Sequence, residues 1–265
     1  MRFFCFLLHI CKKNTTFAAY LYPRTTMTML YSLLELIYPR VCAICGSYIG
    51  ESGDTVFCPQ CIRALPRTEQ AIYRQNLTET AVLGEPDNLV RQANLTRLDK
   101  AASFLFFEKD HPIQWAVHKM KYADQPYIGY FLGRQAAIEM QYAGFFDGID
   151  VIIPIPLHPA RLRERGYNQS EYIARGISRI IGVEVDTTHV IRIRNTPKQA
   201  LLTGENRSEN VADAFAVNHP EHLYHKHILV VDDLITTGET MRSCLKAMKQ
   251  CRAARFTVFA LCKAR

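Results

Sequence analysis

Four cysteines, Cys42, Cys45, Cys58 and Cys61, are spaced Cys-x2-Cys-x12-Cys-x2-Cys; far downstream, Asp232 and Asp233 end an apolar run in "ILVVDDLITTGET". The cysteines suit metal chemistry. Each Cys-x2-Cys turn lets two sulfurs converge, and the twelve-residue return completes a tetrahedron of thiolates, the closed donor set of a structural Zn²⁺. Gly46 and Pro59 suit the tight turns involved. With all four positions filled by protein, such an ion stabilises and does not catalyse. The plainer alternative is four buried or redox thiols.

The aspartates present two carboxylates at the end of a strand, and the loop after them is Thr236-Thr237-Gly238-x-Thr240. No Gly-x4-Gly-Lys-Ser/Thr occurs, which excludes a P-loop. Paired acids also open receiver domains, but those need a phosphoacceptor and a lysine on later strands, and only 32 residues follow Asp233. The stretch resembles the ribose-phosphate motif of type I phosphoribosyltransferases at nearly every position. Backbone N–H groups of such a loop and of the following helix form a nest for a 5′-phosphate. The hydroxyls of Thr236, Thr237 and Thr240 add donors, and Gly238 lets the main chain close in. Asp232 and Asp233 are placed to accept hydrogen bonds from ribose hydroxyls, at the strand end where open α/β sheets bind ligands. A strand, a polar turn and a capped helix with no ligand is the alternative.

Apolar strands alternate with helices through the second half of the chain, the pattern of a parallel sheet covered on both faces. "AASFLFF" (101–107), "DVIIPIPL" (150–157), "HVIRIR" (189–194), "HILVVDD" (227–233) and "RFTVFALC" (255–262) read as strands. "HPIQWAVHKMKYADQPYIGYFLGRQAAIEM" reads as one or two helices broken near Pro126. "QSEYIARGISRII" repeats its apolar residues at helical spacing, as does the stretch carrying Met241, Leu245, Met248 and Cys251. Between the second strand and its helix lies an expected basic loop with Arg161, Arg163 and Arg165, for which a solvated arginine face is the alternative. The basic residues are not interleaved along the sequence with aromatic ones, as a base-stacking platform prefers.

Together with the cysteine cluster, "IIPIPLHPARLRERGYNQSEYIARGIS", "RNTPKQALLTGENRSENVADAF" and "MKYADQPYIGYFLG" make residues 30–265 resemble the ComF family, associated with competence and DNA uptake in bacteria. The resemblance implies an α/β fold, a parallel-sheet type I phosphoribosyltransferase-like domain preceded by a small four-cysteine zinc-ribbon-like module. It implies phosphoribosyl pyrophosphate or a related sugar phosphate as ligand, with Mg²⁺, held by Asp232, Asp233, the threonine loop, Arg161, Arg163, Arg165 and Lys121. Gln199, Arg207 and Asn210 are further polar residues of the same segments. Pentosyl transfer is one expected outcome. The other is a non-catalytic nucleotide- or single-stranded-DNA-binding component of the uptake machinery, with a competence helicase as partner. A sugar-phosphate motif does not by itself establish turnover, and no acceptor pocket is readable. Many members of the family carry a second cysteine cluster in the N-terminal module; residues 62–98 here contain no cysteine.

The expected organisation is an extension over 1–28 (an over-long start, with no role in the core), the four-cysteine module over 29–67, a connector over 68–98 and the sheet domain over 99–265. "LYSLLELI" (30–37) has a short helical face. The 265 residues carry a formal net charge of +7, which suits phosphate-bearing partners. Nine cysteines without a disulfide-like framework point to a reducing, cytoplasmic location. The apolar run at 3–11 is too short to span a bilayer.

Overall fold

The computed structural model describes residues 39–50, 55–68, 98–195, 214–253 and 255–265. The extension, the 30–37 stretch, nearly all of the connector, and Gln199, Arg207 and Asn210 lie outside the described residues. In chain order the elements are α1 (Pro59–Arg63), β1 (Leu98–Phe107), α2 (Ile113–Tyr122), α3 (Tyr127–Met140), β2 (Val151–Pro154) and α4 (Pro159–Arg165). There follow α5 (Gln169–Ile181), the short strands β3 (Val190–Arg192) and β4 (Phe215–Val217), β5 (His227–Ile235), α6 (Glu239–Met248) and β6 (Arg255–Ala264).

Four strands form one sheet in the order β1-β6-β5-β2, every pair parallel. Successive side chains of a strand point to opposite faces, so a run buried at every position needs cover on both. Ile228, Leu229, Val230 and Val231 of β5 are all fully buried, as expected of a central strand. Both edges of the sheet are blunted, which removes templates for edge-to-edge pairing. Beside β1, Thr68 N donates to Phe104 O (3.0 Å) and Phe106 N to Pro66 O (2.7 Å). Beside β2, Ile152 N donates to Glu184 O and Asp186 N to Ile152 O, both at 2.9 Å.

Helices α3 and α5 approach each other through glycine. A Cβ at Gly133 would lie 2.3 Å from Ile173 O, and one at Gly176 2.1 Å from Tyr130 O. That contact seats the N-terminus of α5 beside the sheet. Asn168 caps it, its Oδ1 accepting from Ser170 N at 3.2 Å, and Gly182 ends it in the left-handed conformation.

The cysteine segment is part of the same core. Phe57 is fully buried and meets Phe131 of α3 edge-on at 5.4 Å. Arg67 grips Glu139 of α3 with two bonds of 2.7 and 2.8 Å, and Lys119 Nζ of α2 donates to Ala43 O at 2.9 Å.

Two expectations need correction. The basic segment after β2 is the helix α4 and not a loop. His158 caps it by accepting from Ala160 N, Pro159 opens its first turn, and Gly166 at φ 80° closes it, so the start and stop signals were in the sequence. The expected strand at 189–194 also forms outside the main sheet, as a two-stranded antiparallel pair of β3 with β4. No helix among the described residues is long and apolar enough to cross a membrane.

Candidate functional site

Strand β5 runs past its neighbour. Its ladder with β2 ends at Pro154–Val231, whereas its ladder with β6 continues to Ile235–Lys263. Asp232 and Asp233 therefore follow the point where β2 leaves the sheet, at the carboxyl end of its strands. Asp232 is 9% exposed, and its Oδ1 accepts from Asp233 N (2.8 Å) and from Ser170 Oγ at the start of α5 (3.2 Å). Asp233 turns to Lys121 in the last turn of α2, with Nζ at 3.1 Å from Oδ1 and 3.0 Å from Oδ2.

Two carboxylates on consecutive residues with one ammonium leave a surplus negative charge. Burial, and then the Asp233 charge, push the Asp232 carboxyl up to about 7, against the pull of Lys121 and Ser170. Burial works against the Lys121 ammonium, but the Asp233 carboxylate, with Asp232 further off, holds it above its ordinary value. The structure thus brings together Asp232, Asp233 and Lys121, and adds Ser170.

Of the three α4 arginines, Arg165 is committed locally. It donates to Gln169 Oε1 at 2.8 Å, and its guanidinium lies 5.4 Å over the Tyr122 ring. Arg163 is exposed and Arg161 half-buried. Arg161 is close enough to Arg192 of β3 to depress its guanidinium: burial acts first, then Arg161, with Asp232 opposing. Arg192 thus shares the field of the acid pair, and sequence reasoning missed it. The available signal was parity, because Arg192 falls on the same side of β3 as the buried Val190. Ser170 was missed because a serine in the first turn of a helix reads as ordinary helix-start chemistry.

The threonine loop follows directly. Thr236 and Thr237 are exposed, Gly238 is buried at φ 75° and caps α6 without a side-chain bond, and Arg242 Nη1 donates to Thr237 O at 3.0 Å. A left-handed residue at this turn favours glycine.

The four cysteines converge as their spacing requires. Their sulfurs all lie within 4.8 Å of one another, with Cys45 and Cys58 at 3.7 Å. A tetrahedron with Zn–S bonds of about 2.3 Å has edges of about 3.8 Å, so the cluster is near the size that ion needs. Hydrogen bonds from Ser47 lower the exposed Cys45 thiol to about 6, while burial and its sister thiols push Cys61 up. The cluster can hold a metal ion such as zinc. Cys244, Cys251 and Cys262 are buried free thiols, and burial raises all three.

This sheet, with acids ending a central strand and a glycine turn opening the next helix, defines a phosphoribosyltransferase-type domain, and residues 168–265 match the family described as "Phosphoribosyl transferase domain". The chain as a whole is a homologue of bacterial DNA-utilization and competence proteins, as its resemblance to the ComF family implied. It is 28% identical over 233 residues to DNA utilization protein YhgH of Shigella flexneri, covering 87% of this chain and 93% of that protein. It is 28% identical over 158 residues to Competence protein F of Haemophilus influenzae, covering 58% of this chain and 69% of that one. Among solved structures, glutamine phosphoribosylpyrophosphate (PRPP) amidotransferase from B. subtilis overlaps 54% of this chain and 30% of its own, at TM-score 0.37 and 19% identity.

Proposed function

We propose that the chain binds phosphoribosyl pyrophosphate, or a closely related sugar phosphate, beyond the carboxyl ends of β5 and β2, and that it acts in DNA uptake in the cytoplasm. The observation that carries this reading is the acid pair on β5, held by Lys121 and Ser170 and followed at once by the Gly238 turn into α6. The backbone N–H groups of that turn would hold the 5′-phosphate, with hydroxyls from Thr236, Thr237 and Thr240. Asp232 and Asp233 would accept from the ribose hydroxyls, and Arg161 and Arg163, joined by Arg165 once it lets go of Gln169, would face the diphosphate. Mg²⁺, an oxygen-seeking ion, would arrive with the diphosphate and neutralise it, and the carboxylates supply the ligand type it takes. If pentosyl transfer follows, these residues would hold the ribosyl cation-like state and the departing pyrophosphate. Zn²⁺ in the four-cysteine cluster would serve folding only.

Calorimetric titration of the full chain with phosphoribosyl pyrophosphate and Mg²⁺ tests the binding, and a pyrophosphate-release screen over nucleobases tests turnover. Mg²⁺-dependent binding abolished by Asp232→Asn with Asp233→Asn is the expected result. Absence of any binding by the wild type would sink the reading.

A second reading, contact with single-stranded DNA, gains from an arrangement the linear sequence hides. Trp115 and Tyr122 are seven residues apart on one face of α2, 67% and 53% exposed. Arg165 of α4 lies over Tyr122, Tyr127 of α3 meets Tyr172 of α5 at 6.2 Å, and Tyr172 meets Tyr167 at 5.7 Å. The interleaving of basic and aromatic groups that the linear sequence lacks is made by four helices converging. Exposed aromatic faces beside arginine suit base stacking. Trp115 is the one tryptophan of the chain, so quenching of its fluorescence by oligo-dT reports that contact directly. Unchanged emission at saturating oligonucleotide would count against it.

A further inference from the structure

Away from both sites, three imidazoles gather at the other end of the β3–β4 pair. His189 precedes β3, His219 follows β4, and His222 lies in the short 3-10 turn Pro220–Leu223. The His189 and His222 rings stack with centroids 5.0 Å apart, and the His219 and His222 centroids are 6.1 Å apart. We propose that this cluster is a second metal site, one that takes a borderline transition-metal dication such as Ni²⁺ or Zn²⁺ through imidazole nitrogens.

The argument rests on what orients the rings. Nδ1 of His189 bonds to Asp186 Oδ2, and Nδ1 of His219 lies 3.3 Å from Glu221 Oε1. A carboxylate on one ring nitrogen fixes the tautomer, turns the ring and makes the other nitrogen a better donor, which is the usual support of a metal-bound histidine. Two of the three rings have that support, and it leaves their Nε2 atoms as the ones available to an ion.

Asp186 is itself held firmly. Its Oδ1 accepts from Thr188 N at 2.8 Å, Thr188 Oγ1 at 2.9 Å and His189 N at 3.2 Å, and its own backbone N–H bonds to β2. Asn218 N donates to His189 O at 2.8 Å, which ties the residue before β3 to the residue after β4. His189 is therefore the rigid member of the set.

The other two can adapt. His219 is 75% exposed on its side chain, and it adopts φ 49°, a conformation uncommon for a residue with a Cβ. His222 is exposed as well. The rings are stacked and not convergent, and the cluster is looser than the cysteine set. An ion must draw His222 and His219 off the stack to reach nitrogen distances of about 2.0–2.1 Å. Their exposure lets them turn, and the adjustment makes this a site of moderate affinity, dependent on metal supply. Nothing in the proposal depends on the ribose-phosphate reading, because none of these residues touches the acid pair.

The test uses untagged full-length protein with the metal of its cysteine cluster retained and quantified. Equilibrium dialysis against Ni²⁺, read by mass spectrometry of the metals, should give about one nickel per chain beyond that complement. His189→Ala with His222→Ala should remove it. Asp186→Asn, which keeps every ring, should keep the stoichiometry and weaken affinity by about tenfold, the usual effect of losing such a supporting carboxylate. His222→Ala alone changes an exposed side chain and leaves the fold intact, so a loss of nickel there cannot be ascribed to unfolding. No nickel beyond the cysteine complement, or nickel binding indifferent to the double histidine change, would overturn the proposal.

Discussion

Replacing Asp232 by Asn should make the ligand-free protein more stable and worse at binding. Asp232 is buried, its neighbour is another carboxylate, and the Lys121 ammonium is engaged by Asp233. Folding raises its carboxyl from 3.8 to about 7, a cost of about 4 kcal/mol at full ionisation. A raised pKa in the folded state means that the native protein binds the extra proton between those two values. Stability from this group is complete below about pH 4, drains away as pH rises to 7, and is level above that. The substituted asparagine never ionises, and its amide oxygen can still accept from Asp233 N and Ser170 Oγ. Some of the gain is lost because the new NH₂ needs a partner, so a net stabilisation of about 2 kcal/mol at pH 8 is expected. Urea unfolding of wild type and Asp232→Asn from pH 4 to pH 8 reads the effect directly. The mutant should be the less stable by about 2 kcal/mol near pH 4, cross the wild type near pH 5 and lead by about 2 kcal/mol above pH 7. A mutant that is less stable at pH 8, or a difference that does not change with pH, would refute this account of the site.

Three further outcomes follow from the same contacts. Lys121→Met should cost about 3 kcal/mol in urea unfolding at pH 8, because it removes the ammonium that pairs directly with Asp233; no loss would show the ion pair to be incidental. Gly133→Ala should destabilise by about 2 kcal/mol despite the usual helix gain of about 1 kcal/mol, since its methyl meets Ile173 O at 2.3 Å, and a stabilised variant would contradict the close approach of α3 and α5. Cys61→Ser should release one zinc per chain and lower the thermal midpoint, and metal analysis that finds no zinc in reduced wild-type protein would dispose of the cluster's assignment.

How far the sequence led depends on where each signal was stored. Helix α5 matched the sequence span residue for residue because Asn168 and Gly182 mark its two ends and its apolar residues repeat between them. Strand β5 was readable from four adjacent buried residues, and the cysteine cluster from spacing alone. Strand β4 was not, because Phe215–Val217 is three residues long and has no period to detect. Helix α4 was hidden by its charge, although His158, Pro159 and Gly166 bracket it. The site itself divides the same way. Asp232 and Asp233 are local in sequence, but Ser170 bonds to Asp232 and Arg192 enters its field only because α5 and β3 fold back. Placing Lys121 beside Asp233 needed the fold to join residues 112 positions apart.

The two halves of the protein meet in α2. Near its end, Lys119 reaches the cysteine segment through Ala43 O, and two residues later Lys121 reaches the acid pair on β5. Residues two apart on a helix point in different directions, so a single short turn can serve both partners at once. Phe57 on Phe131 and Arg67 on Glu139 brace α3 in the same way, and α3 in turn seats α5, which carries Ser170. The cysteine segment therefore supports the elements that deliver both partners of the acid pair. Loss of metal in Cys61→Ser should accordingly weaken ligand binding at a site the cysteines do not touch, and do so by loosening Lys121. The pH profile distinguishes this from general unfolding: with Lys121 displaced, the Asp232 carboxyl moves further above 7, and tight binding shifts to higher pH. A Cys61→Ser protein that binds more weakly with an unmoved pH profile would separate the two halves and leave the cysteine cluster a purely local staple.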